Sequence, residues 1–253
     1  MGTGFSAHYT NVIWTNAHVV QGVVDALEVL IDHDPQPFAV KSGTAIGGTA
    51  THELRYYWEH PDYDGTTLSP DIGILILETE FTDVPFFLPR DMAHDLRLGQ
   101  PVATMGFPGE IEALNTTVPL ATFKDGTISA LRPFSPEAQS VTPENSTFVQ
   151  HNLDLSGGTS GSPIFDHEGW IVAINNSGTE ALVIDQRSGR PSRVPSGNIG
   201  FGIRVDEAWS FVDWLDSSSG KALAAHGIGF LKRFPSKPYP HPTYRPFPPG
   251  WAR

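Results

Sequence analysis

Apolar residues in this chain come in short, β-branched runs closed off by clusters of Gly, Pro, Asn and Asp. Val12-Ile13-Trp14, Ala26–Ile31 and Ile72–Leu77 form a first series. Val102–Met105, Gly126–Leu131, Thr147–Gln150, Ile171–Ile174, Leu182–Ile184 and Ile199–Ile203 form a second. Runs this short between turn signals read as strands. None approaches the roughly 20 apolar residues of a membrane-spanning helix. With 25 Gly and 22 Pro in 253 residues, the chain suits short strands joined by turns, and two comparable series predict two similar β units.

Between the series, Phe81–Gln100 carries Pro85 and Pro89 and reads as a linker. Val205–Leu215 is the one segment read as helix. Val205, Trp209, Val212 and Leu215 fall on one helical face, with Asp206 as the expected N-cap. From Phe234 to Trp251 proline alternates with aromatic and basic residues, which neither a ladder nor a helix accommodates. The tail beyond Asp216 carries Lys221, Lys232, Arg233, Lys237, Arg245 and Arg253 and no acid. A flexible terminus and a segment folded back onto an acidic body both fit that composition.

A net charge of −12 repels phosphate backbones and argues against nucleic acid as a partner. Cysteine is absent, which excludes disulfides, thiolate zinc sites and cysteine nucleophiles. The start, Met1-Gly2-Thr3-Gly4-Phe5, has no basic and apolar leader, and the compartment stays open. His52-Glu53, Glu59-His60 and His33 do not meet the spacing of a helical zinc motif, so no metal and no cofactor is expected. His8, His94, His151, His167, His226 and His241 read as surface or structural residues.

Acyl transfer by serine needs a hydroxyl nucleophile, a base within reach, a carboxylate that fixes the base's tautomer, and backbone donors for the oxyanion. Gly157-Gly158-Thr159-Ser160-Gly161-Ser162-Pro163 sets a serine in a glycine turn. There the missing side chains let the Gly158 and Ser160 N–H groups converge. Thr15-Asn16-Ala17-His18 places a histidine after an apolar run, and Ser69-Pro70-Asp71-Ile72 places an aspartate at the mouth of another. Strand ends hold side chains rigidly while leaving them reachable.

These three segments, in the order His, Asp, Ser, resemble the signatures of the chymotrypsin-like (trypsin-like) serine peptidases. Gly158-Thr159-Ser160-Gly161-Ser162-Pro163 is similar to the cysteine-free bacterial branch of glutamyl endopeptidases and Deg-type proteases. So are Gly2–Phe5, Gly106–Gly109 and Asn198–Phe201. The resemblance covers roughly residues 2–216 and implies an all-β fold of two six-stranded antiparallel Greek-key barrels with a C-terminal helix. The expected units are residues 1–90 with His and Asp, 91–204 with Ser, a helix at 205–216 and the tail at 217–253. It further implies a serine endopeptidase acting on protein or peptide, with His18 as base, Asp71 as its orienter, Ser160 as nucleophile, and Gly158 with Ser160 as oxyanion donors. The chain order differs from that of the α/β-hydrolases, which run Ser, acid, His. A catalytically silent binding module and an esterase on the same scaffold are the rival readings.

Three departures from the pattern carry expectations. Thr159 stands where trypsin-like zymogens carry an aspartate that captures a new N-terminus, so no activating cleavage is expected. The strand that usually precedes Gly2–Phe5 is missing, which leaves a barrel edge open; a fragment fits this better than cover by the tail. Counting back from Ser160 puts Asp154 at the floor of the primary specificity pocket, where a carboxylate selects Lys or Arg; capping a turn or pairing with a neighbour is the other reading. Asn175, Asn176, Ser177 and Gly178, after Ile171–Ile174, are expected to form the pocket wall.

Overall fold

The computed structural model describes residues 2–29, 38–42, 49–77, 79–81, 84–108, 121–135, 137–184 and 191–217. The first half runs β1 (Phe5–Ser6), β2 (Val12–Thr15), α1 (Ala17–Val29), β3 (Phe38–Ser42), β4 (Thr49–Glu59) and β5 (Gly73–Leu77). A 3₁₀ helix at Arg90–Asp95 interrupts the expected linker. The second half runs β6 (Pro101–Gly106), β7 (Thr122–Arg132), β8 (Phe148–His151), β9 (Pro163–Asp166), β10 (Ile171–Ile184), β11 (Pro191–Arg204) and α2 (Val205–Asp216).

The second half closes on itself as a six-stranded barrel in the order β10-β11-β8-β7-β6-β9, antiparallel at every described pairing. Closure removes the unpaired edges that an open sheet would expose. The first half departs from the expected barrel. Its described strands form a five-stranded sheet, β1-β2-β5-β4-β3, in which β1 pairs through only two residues, Phe5 with Trp14 and Ser6 with Ile13.

Two expected strands change character. Ala26–Val29 belongs to α1, while Leu30 and Ile31 lie outside the described residues. Taken alone the run looks extended, but Ala17, Val20, Val24 and Leu27 recur at spacings of three and four, which is the helical period. Leu182–Ile184 is the far end of β10 rather than a separate strand. Register shifts between Asn175 and Ser177 and between Gly178 and Glu180 let one strand continue through its polar middle.

One apolar core joins both sheets to α2. Trp14 of β2 is fully buried, donates its indole N–H to the Ala7 carbonyl at 3.0 Å, and meets the Phe87 and Phe211 rings edge-on. Helix α2 buries Val205, Ala208, Phe211, Val212 and Leu215, while half-buried Trp209 donates to the Leu88 carbonyl at 2.9 Å. Asp206 is not its N-cap. Arg204 holds that position, and Asp206 in the first turn takes the buried Arg204 guanidinium in a fork of 2.8 and 2.7 Å. Among the described residues, no helix is long and apolar enough to cross a membrane.

Candidate active site

Pairing of Thr15 with Gly73 sets the end of β2 beside the start of β5. Helix α1 follows β2 directly, so His18 lies in its first turn, next to the residues that lead into β5. Gly73 permits this approach, because a Cβ there would lie 2.6 Å from the Val20 side chain and 3.1 Å from the Asn16 carbonyl. Asp71 is fully buried. Its Oδ2 lies 2.6 Å from His18 Nδ1, its Oδ1 accepts the His18 backbone N–H at 3.0 Å, and its carbonyl accepts Asn16 Nδ2 at 2.8 Å. A carboxylate on Nδ1 selects the tautomer with the proton there and leaves Nε2 as an acceptor. The His18 side chain remains 40% exposed, so the imidazole is reachable while its partner is dry.

The flank of this pair is acidic. Burial pushes the Tyr63 hydroxyl up to about 12, with the charges of Asp71, Glu59 and Asp64 adding to the effect. Burial likewise raises the Glu59 carboxyl, and nearby Asp71 raises it further.

Ser160 sits between β8 and β9 in a turn folded by its own backbone. Thr159 N–H donates to Ser156, Ser162 N–H to Thr159, and Gly161 N–H to Asn175 of β10 at 2.8 Å. The Gly158 and Ser160 N–H groups, by contrast, make no hydrogen bond among the described residues. Gly158 and Gly161 have φ of 91° and 84°, in the left-handed region that glycine enters without penalty. A Cβ on Gly161 would stand 2.3 Å from both Thr15 Oγ1 and the Thr3 carbonyl. The residue after Ser160 therefore abuts the end of β2, close to His18. The Ser160 hydroxyl donates to the Asn176 carbonyl at 3.3 Å, and no bond joins it to the His18 ring.

The other expected site residues divide. Asn175 and Asn176 are buried beside the turn, where Asn175 Nδ2 donates to the Thr159 carbonyl at 3.1 Å. Ser177 is half-buried and Gly178 exposed in the shifted part of β10. Asp154 differs from a pocket floor: its side chain is 73% exposed and pairs with Lys124 at 3.1 Å. His52 bonds to Thr79, and His60 accepts the Asp62 N–H. Among the described residues no three His, Asp or Glu side chains group to hold a metal ion. His8 and His151 are deeply buried, and burial lowers each to about 4; His167 is exposed. His33, His226, His241 and the tail from 218 lie outside the described residues.

Two ties across the site were not legible in the sequence. Asn176 Nδ2 donates to the Thr67 carbonyl at 3.1 Å, joining β10 to the loop ahead of Asp71. Thr3 bonds to Ser160, Gly158, Phe107 and Thr15. Thr3 entered the sequence reading only as part of Gly2–Phe5, a segment read for its resemblance and not as part of the site.

The fold is shared with solved structures. Deg5 superposes with a TM-score of 0.52 at 20% identity, over 85% of this chain and 82% of that one. The HtrA-type protease AlgW, solved with a decapeptide, superposes with a TM-score of 0.52 at 18% identity, over 85% and 50%. The family described as the trypsin-like peptidase domain matches residues 2–174, and the chain belongs to that family. A Halomonas elongata protein designated a DegP-like periplasmic serine endoprotease is 27% identical over 90% of this chain and 38% of its own length. The Synechocystis sp. protein designated serine protease HhoA is 25% identical over 82% and 41%. The chain thus spans about two fifths of the length of these relatives.

Proposed function

We propose that the chain is a serine endopeptidase in which His18, Asp71 and Ser160 form the catalytic triad and the Gly158 and Ser160 N–H groups form the oxyanion hole. The observation that carries this reading is the buried Asp71 carboxylate gripping His18 at 2.6 and 3.0 Å, beside a glycine turn whose Gly158 and Ser160 N–H groups make no hydrogen bond among the described residues. The Ser160 side chain first turns from the Asn176 carbonyl toward His18 Nε2. Its oxygen then attacks the scissile carbonyl carbon as Nε2 takes the proton, and the oxyanion accepts the two backbone N–H groups. Collapse breaks the C–N bond, His18 returns the proton to the leaving amine, and an acyl-enzyme remains. Water, deprotonated by His18, cleaves that ester and restores Ser160.

The exposed Asp154–Lys124 pair supports a surface role for Asp154 and leaves a preference for Lys or Arg without a carboxylate to carry it. The Asn175–Gly178 stretch is proposed as the pocket wall, supported by the Ser160–Asn176 and Asn175–Thr159 bonds. One observation favours a rival. A Ser160 hydroxyl that stays on the Asn176 carbonyl would leave a silent binding module. A fluorophosphonate probe decides: labelling of wild type but not of Ser160→Ala, with turnover of a peptide, is the expected result. No labelling of folded wild type would mark the silent module, and labelling with ester but no peptide turnover an esterase.

A further inference from the structure

Thr3 is 3% exposed and joins three parts of the molecule. Its backbone N–H donates to the Ser160 carbonyl at 2.8 Å. Its hydroxyl donates to the Gly158 carbonyl at 2.7 Å and accepts the Phe107 N–H at 2.9 Å. Its carbonyl accepts the Thr15 hydroxyl at 2.7 Å, at the end of the strand that leads to His18. A hydroxyl has one proton to donate. With Phe107 supplying a donor, that proton is committed to Gly158.

Thr3 holds the Gly158 and Ser160 carbonyls, whose peptide planes contain the Thr159 and Gly161 N–H groups. A peptide rotates as a plane, so these two fixed units bracket the Thr159–Ser160 peptide, which carries the Ser160 N–H, and the first of them adjoins the Gly157–Gly158 peptide, which carries the Gly158 N–H. In a glycine turn no side chain opposes such rotation. Gly106 leaves room for the hydroxyl, because a Cβ there would come within 3.3 Å of Thr3 Oγ1. Thr159, the residue before Ser160, carries no carboxylate to anchor the turn. Its hydroxyl serves a local bond to the Ser156 carbonyl at 2.7 Å.

Building on the peptidase reading above, we infer that Thr3 is the positioning residue of the oxyanion turn, its hydroxyl holding Gly158 so that the Gly158 and Ser160 N–H groups face a developing oxyanion. It touches no substrate. It takes over, with a neutral hydroxyl, the bracing that a charged anchor at residue 159 would provide, and it does so from the segment that also packs on the His18 strand.

Thr3→Val keeps the volume and β-branch and removes the hydroxyl; Thr3→Ser restores it. Both are made in the full chain, and Thr3→Ala is measured in the same way should Thr3→Val fail to fold. Hydrogen exchange over residues 156–162 reads the turn without requiring activity. The expected result is faster exchange there in Thr3→Val, with β8 and the start of β10 unchanged. In peptide turnover kcat falls about tenfold or more while KM moves by about twofold at most, the signature of support lost only in the transition state. Thr3→Ser returns kcat to within about threefold of wild type. Unchanged exchange, or a loss of activity that follows the folded fraction alone, overturns the inference. Wild type that neither labels nor cleaves would sink the peptidase reading instead, and the exchange result would still decide whether Thr3 holds the turn.

Discussion

The two sheets of this chain manage their edges in opposite ways, and the difference shows what each contributes to the site. The barrel of β6–β11 has no edge, and it carries Ser160 on a turn between β8 and β9, bonded to β10. The first sheet stays open, with β1 and β3 at its ends, yet His18 and Asp71 follow β2 and precede β5 in its interior. An open edge therefore costs the placing of His18 and Asp71 little, because β2 and β5, which position them, each have a neighbour on either side. The serine turn is the more dependent part. It belongs to the closed barrel, but Thr3 of the open half holds two of its carbonyls.

The sharpest break on the open side is Asp71→Asn. It keeps the shape of the buried group and removes the charge that fixes the His18 tautomer. Loss of this kind in a serine triad costs about 10⁴ in kcat. Peptide turnover by purified, folded Asp71→Asn should show it with only a small change in unfolding midpoint. A kcat within about tenfold of wild type would mean that His18 is not the base.

The seam between the sheets comes next. Gly161→Ala combines a φ of 84° with a Cβ 2.3 Å from Thr15 Oγ1 and the Thr3 carbonyl, and should cost roughly 3 kcal/mol of stability in urea unfolding. Gly169 is the control. It has nearly the same conformation, φ 86°, but nothing within 4 Å of an added Cβ, so Gly169→Ala should cost only about 1 kcal/mol of backbone strain. Equal costs at the two glycines would show that conformation, not contact across the seam, makes Gly161 necessary.

The same contrast governs what the sequence disclosed. Strands β2, β5, β6 and β8 were legible because Val12, Ile74, Val102 and Val149 sit in compact apolar runs, and the three site segments were legible because their chemistry is local. Strand β4 was missed because Thr49–Glu59 mixes charged and aromatic residues. Strand β9 was missed because it begins on Pro163, a position where proline costs a sheet nothing. Helix α1 was mistaken in part because six residues fall short of the window of about 11–18 over which a helical period can be read. The Thr3 tie spans 155 residues to Gly158, and a hydroxyl meeting a distant carbonyl leaves no periodic trace. Of the two readings of Asp154, pocket floor or pairing with a neighbour, the Lys124 pair fits the second, and counting along a loop could not choose between them because it says nothing about which way a side chain leaves it.

The smallest expected effect concerns α2, which packs against both halves. Glu207 is raised to about 7, first by burial and then by the Asp206 charge, with Thr147 and Arg204 pulling the other way and Asp62 adding slightly. Between the ordinary carboxyl value of 4.5 and about 7 the folded chain keeps this proton while the unfolded chain releases it. Its contribution to stability is therefore present at low pH and lost as pH rises through that window. His8 and His151, lowered to about 4, act in the opposite sense, since their contribution is present above the ordinary histidine value and lost as pH falls toward 4. The difference between wild type and Glu207→Gln separates the two. Relative to wild type, the variant should gain roughly 1–3 kcal/mol on going from pH 4.5 to pH 7, with the histidine-dependent rise common to both. A constant offset across that range would show that Glu207 does not hold its proton above the ordinary carboxyl value in the folded chain.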